Sequence, residues 1–185
     1  MSNVRVWRCQ ICGDTYLGVN WPSNCPYCGA SFDYLDASKD YPLDIQECTP
    51  TEAECKDLET AMDIEITNLT FYRQLGKLGD TRALIPSAYR ALAKIETEHL
   101  IVFAKALGTT APTEPANPLT VQDSFAANIA ASHKREEEAS AFYAEAAARA
   151  TTPRIKQIFT AISAVEADHM EIDNFLLEVA KDTLA

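Results

Sequence analysis

This sequence is short of positive charge. Its 16 lysines and arginines face 27 aspartates and glutamates, and a net charge of −11 excludes nucleic acid or an anionic membrane surface as its natural partner. Long hydrophobic runs are missing as well. Nothing approaches the ~18–20 apolar residues of a membrane span, and the opening MSNVRVWRC has no apolar core of a secretory signal. A cytoplasmic protein is therefore expected. Cysteine is scarce and unevenly placed, with six in 185 residues and four of them before residue 30. That distribution excludes a disulfide framework and points to metal binding in a reducing compartment. The length leaves room for one helical bundle with a small appendage.

The appendage comes first. Cys9 and Cys12 form one knuckle, Cys25 and Cys28 the other, and Gly13 and Gly29 follow each second cysteine. A glycine there lets the chain turn so that backbone N–H groups face the sulfurs. Four thiolates at this spacing suit a tetrahedral site for zinc or for a single iron. The spacing alone leaves the metal open. The flanks Trp7, Tyr16, Gly18, Pro22, Pro26 and Phe32 resemble the short rubredoxin domain of rubrerythrins. The expected organisation is a rubredoxin-like domain over 1–36, a linker over 37–48 that docks through Tyr41, Leu43 and Ile45, and a helical domain over 49–185.

Punctuation in the second part predicts four helices. Thr49 is expected to cap the first, with Pro50 at its first position and Glu52 reaching back, and the helix runs to Leu78 before Gly79. The second is expected from near Pro86 to Leu107, closed by Gly108. The third starts at Thr120 and ends near Ala150. Thr152-Pro153 opens the fourth.

These helices repeat. Glu65 through Phe71-Tyr72 matches Glu136 through Phe142-Tyr143, an offset of 71 residues. Glu96-Thr-Glu-His99 matches Glu166-Ala-Asp-His169 at an offset of 70. Glutamate and histidine three residues apart share one helix face. All four positions also fall within about one turn of the expected helix midpoints. They meet at one height if the helices pack side by side. The stretch from Gly108 to Thr120 spans ~40 Å when extended, enough to return along a second helix of about 33 Å.

Two single glutamates and two Glu-x-x-His pairs make up the ligand set of ferritin-like dimetal carboxylate bundles with one long crossover. In that arrangement Glu96 and Glu166 bridge two metals, His99 and His169 each take one, and Glu65 and Glu136 are terminal. Four carboxylates and two imidazoles suit iron or manganese, including mixed pairs. Tyr72 and Tyr143 lie two turns beyond Glu65 and Glu136, placed either to pack the core or to hydrogen-bond beside the metals. Asp173, one turn past His169, is a candidate to orient a histidine.

With both motif sets in view, the chain resembles a rubrerythrin with its order reversed, the rubredoxin domain preceding the di-iron bundle. The resemblance covers essentially the whole chain. It implies a mononuclear iron in the four-cysteine site and a dinuclear non-haem iron site. It further implies NAD(P)H-linked reduction of hydrogen peroxide to water, with electrons from an external reductase or rubredoxin passing through the rubredoxin iron. It implies a homodimer or larger oligomer, in which one subunit's rubredoxin iron can approach the other's di-iron pair. One departure stands out. Rubrerythrins usually carry a further carboxylate on the third helix, five residues before the tyrosine, that exchanges with a histidine as the irons change oxidation state. Counting back from Tyr143 reaches Glu138, but the other third-helix ligand then falls on Arg135. The internal repeat selects Glu136 instead, leaving Glu138 as an extra ligand only if the helix is bulged. Two rival functions fit the same motifs: a dioxygen-reducing or substrate oxidase, and an iron-binding or storage protein with a zinc ribbon.

Overall fold

The computed structural model describes residues 3–182, so the outermost ends of the two expected domains, residues 1–2 and 183–185, lie outside the described residues. Its N-terminal module is an antiparallel sheet in the order β2-β1-β3, built from β1 (Arg5–Cys9), β2 (Thr15–Gly18) and β3 (Leu35–Ala37). β1 pairs Val6 with Leu17 on one side and Cys9 with Leu35 on the other. The linker docks less evenly than expected: Tyr41 is buried under the Arg8 guanidinium, Ile45 is half-buried and Leu43 is exposed.

Four helices follow: α1 (Glu52–Leu75), α2 (Leu84–Leu107), α3 (Phe125–Arg149) and α4 (Pro153–Asp182). They form a ferritin-like four-helix bundle of two packed hairpins, α1 with α2 and α3 with α4. One cleft is lined jointly by the starts of α2 and α3 and the end of α4. α2 and α3 therefore run parallel, and the crossover between them returns the length of the bundle. Gln74 Nε2 donates to the Leu119 carbonyl at 2.8 Å and fixes that return against α1. Each helix turns a stripe at i, i+3, i+4 and i+7 inward. On α1 the stripe includes Leu58, Glu65, Leu69 and Tyr72; on α3 it includes Ile129, Glu136, Ala139 and Tyr143. Among the described residues no helix is long and apolar enough to cross a membrane.

Three helix ends differ from expectation. The first capping box is Thr51 with Glu54, not Thr49 with Glu52. Glu54 prevails because it serves two helices. Its carboxylate accepts from Thr51 N at 2.7 Å on α1 and from Thr151 N and Thr152 N at 2.8 Å ahead of α4. α1 stops at Leu75, where the Arg90 side chain takes the Gly76 carbonyl at 2.8 Å. α3 begins after Ser124 because the Asn128 amide bonds both backbone groups of Gln122, holding that segment out of the helix.

Burial alone would raise the Glu54 pKa. The N–H groups of Thr152, Thr51 and Thr151 and the Thr152 hydroxyl bond to its charged form and bring it down to about 2. A folded value below the unfolded ~4.3 gives stabilisation that is present above that pH and lost as pH falls through the folded value. Glu54→Gln is expected to cost about 2 kcal/mol at neutral pH and to flatten the acid limb of the stability curve below about pH 4.5. Denaturant titrations across that range read both effects, and a variant curve parallel to wild type would contradict the double cap.

Candidate metal centres

The two knuckles bring all four cysteine sulfurs together, fully buried. Cys9 Sγ lies 3.7 Å from Cys28 Sγ, and Cys12 Sγ lies 3.8 Å from Cys25 Sγ. Corners of a tetrahedron with metal–sulfur bonds of ~2.3 Å stand about 3.8 Å apart, so the cage fits a single ion. Ile11 N points at Cys9 Sγ and Asp14 N at Cys12 Sγ, each at 3.4 Å. Gly13 and Gly29 take positive φ (87° and 74°), as a turn behind each second cysteine requires.

In the bundle, the Glu65, Glu96, Glu136 and Glu166 side chains converge with His99 and His169, all buried. The two imidazoles lie 6.1 Å apart, nearly parallel. Glu96 spans the gap between them: its Oε2 is 3.1 Å from His99 Nδ1 and its Oε1 is 3.1 Å from His169 Nδ1. Glu166 does the same from the facing helix, at 3.1 Å and 2.8 Å. Glu65 approaches only His99, at 3.7 Å, and Glu136 only His169, at 3.6 Å. Neighbouring ligands around an octahedral ion with bonds of ~2.1 Å lie about 3.0 Å apart, close to these separations.

The cluster's electrostatics call for cations. Burial, then the charges of Glu96 and Glu166, pushes the Glu65 and Glu136 carboxyls well above the usual range. Burial opposes ionisation of Glu96 too, but His169 and His99 outweigh it and hold that carboxyl low. Burial would lower the histidines, and the surrounding carboxylates instead raise both well above the ordinary imidazole value. Glu65 Oε2, Glu136 Oε2, both Glu166 oxygens and both His169 nitrogens lack hydrogen-bond partners. Buried polar atoms without partners are costly, and a metal pair would satisfy them at once. The donor set therefore fits a di-iron site, and the cysteine cage fits a mononuclear iron.

Both tyrosines reach the cluster, each crossing to the other half of the repeat. Tyr143 donates to Glu65 Oε1 at 2.6 Å, and Tyr72 donates to Glu136 Oε1. Ser132 Oγ donates to the Tyr72 hydroxyl at 3.0 Å. Burial raises the pKa of both phenols, so they hold their protons against the carboxylates. Glu138 does not join them. It faces solvent beside Lys134 at 3.6 Å, because α3 continues without a bulge and turns position 138 away from 136. Arg135 bonds Asn68 Oδ1 across the helix pair. Asp173 accepts from the Tyr89 hydroxyl at 2.7 Å and is not the histidine's partner.

The partner of His99 is instead the cysteine module. Its Nε2 lies 2.9 Å from the Cys28 carbonyl, while its Nδ1 faces the carboxylates. The four-cysteine site thus rests against the bundle of its own chain. A Cβ on Gly29 would meet Val165 at 2.7 Å, so the second knuckle sits directly on α4. Sequence reasoning anticipated neither this contact nor Arg154, which holds the first knuckle. The readable signal for Arg154 was a cation in the first turn of a helix, where the dipole disfavours it.

Comparison with known proteins agrees with this arrangement. The family described as Rubrerythrin matches residues 56–177, well over half the chain, and the rubredoxin-like domain of rubrerythrin matches residues 7–35. Reverse rubrerythrin-1 of Clostridium acetobutylicum is 26% identical over 115 residues, which cover 57% of this chain and 63% of that relative's length. No solved structure matches significantly.

Removing one terminal carboxylate separates the third-helix candidates. Glu136→Ala is expected to lower the metal held by the bundle from about two ions per chain to about one. Glu138→Ala should leave it unchanged. Elemental analysis of both variants checks this, and equal losses would contradict the assignment to Glu136.

Proposed function

The chain belongs to the rubrerythrin family, and from that premise we propose that it is a non-haem di-iron peroxidase, reducing hydrogen peroxide to water with electrons relayed through the rubredoxin-type iron. Membership with both metal-binding regions makes it an iron-binding oxidoreductase of oxidative-stress chemistry. The finer reading rests chiefly on one observation, the hydrogen bond from His99 Nε2 to the Cys28 carbonyl.

In this reading Cys9, Cys12, Cys25 and Cys28 would hold the mononuclear iron. Glu65 and His99 on one side, Glu136 and His169 on the other, and Glu96 and Glu166 between them would hold the iron pair. A bound di-iron(II) pair supplies two electrons and adjacent Lewis-acid positions to the O–O bond. His99 bound through Nδ1 must carry its proton on Nε2, where it donates to the Cys28 carbonyl. That bond gives electrons a route of covalent bonds and one hydrogen bond between the sites, within one chain. An external reductase or rubredoxin, linked to NAD(P)H, would refill the cysteine site, and a homodimer or larger oligomer is the expected assembly.

Peroxide reduction consumes two protons as it consumes two electrons. Tyr72 and Tyr143 hold hydroxyl protons on the terminal carboxylates, and Ser132 extends the Tyr72 side of that chain. The same bonds orient Glu65 and Glu136, engaging one oxygen of each and leaving the other for metal. The solvent-facing Glu138 favours one second reading, a dioxygen-reducing oxidase, since no exchanging carboxylate reaches the cluster from that position.

Stopped-flow reoxidation of the pre-reduced protein distinguishes the two. Peroxide is expected to reoxidise it far faster than air, and comparable rates would contradict the peroxidase reading. Tyr72→Phe should slow the peroxide step by about 10²-fold through lost proton transfer while the iron content stays unchanged.

A further inference from the structure

Arg154 stands second in α4 and is 7% exposed. Its hydrogen bonds all go to neutral acceptors: Gln10 O and Ile11 O at 2.7 Å, Gln46 Oε1 at 2.6 Å and Gln157 Oε1 at 2.8 Å. A buried cation without a carboxylate is expensive unless opposite charge lies close by. The cysteine cage supplies it. Four thiolates around a trivalent iron carry one net negative charge, and accepting an electron doubles it.

The contact does more than bring the charges near. The Gln10 carbonyl that Arg154 grips belongs to the same peptide unit as the Ile11 N–H, and that N–H points at Cys9 Sγ at 3.4 Å. A charge-assisted bond at the oxygen end of a peptide strengthens donation at its nitrogen end. Stronger donation to a thiolate favours the more negative, reduced state of the site.

We propose that Arg154 is a positioning residue for electron entry. Its guanidinium polarises the Gln10–Ile11 peptide against Cys9 Sγ and raises the reduction potential of the four-cysteine iron, while the same bonds hold the first knuckle on the bundle. This rests on iron occupying that site. The docking half alone would make Arg154 a latch; the potential is what separates the two roles.

Spectroelectrochemical titration of the iron-loaded full chain provides the test. Arg154→Gln removes the charge. Gln157→Glu leaves the guanidinium in place and sets a carboxylate of nearly the same shape against it, neutralising it without cutting the grip on Gln10 and Ile11. Both are expected to move the midpoint negative by about tenfold in the one-electron equilibrium, or ~59 mV, with Arg154→Lys shifted less. A wild-type midpoint in Gln157→Glu overturns the proposal, whether or not Arg154→Gln shifts, because lost packing rather than lost charge would then be the cause. Should Arg154→Gln fail to fold, Gln157→Glu decides alone. A wild-type chain that takes no iron in the cysteine cage instead refutes the reading beneath, and its colour shows this before any variant is made.

Discussion

Four carboxylates and two imidazoles buried at the centre of one bundle are the constraint on which the remainder depends. Placed in an apolar core without cations, they would cost more than the surrounding packing could offset. Their arrangement answers that cost. Glu96 and Glu166 each present one oxygen to each histidine, and Glu65 and Glu136 each have one oxygen engaged by a tyrosine. The pseudo-two-fold repeat is therefore a property of the site as much as of the fold. Tyr72 serves Glu136 and Tyr143 serves Glu65, so neither half of the repeat completes its own carboxylate.

The second constraint is how the cysteine module meets this bundle. Several contacts hold it, among them a histidine imidazole on the Cys28 carbonyl, the Lys105 ammonium on the Cys12 carbonyl, a glycine pressed on Val165, and a buried guanidinium on Gln10 and Ile11. Three of these four involve a cysteine or the glycine after it. Docking is thus built from atoms of the two clusters themselves, since His99 belongs to one and touches the backbone of the other.

Much of this was legible beforehand. Cysteine spacing identified the cage, and the repeat of Glu65–Tyr72 in Glu136–Tyr143 identified the bundle. The length of the crossover implied parallel α2 and α3. Periodicity could do this because chemistry and burial coincide along each stripe. Helix starts were less legible, since Thr49 and Thr51 are equally good caps until Glu54 finds a second helix to serve. Glu138 remained open in the sequence for a similar reason: only a regular α3 turns it to solvent. The docking of module on bundle within one chain could not be read at all. It depends on backbone carbonyls at Cys28, Gln10 and Ile11, which carry no signature in the residue types.

The chemistry of both sites depends on the metals that they hold. Elemental analysis together with the visible spectrum, on protein purified without added metal, tests it most directly. A red protein with about three irons per chain is expected, one in the cysteine cage and two among the carboxylates. Zinc in the cage and a colourless protein would contradict it.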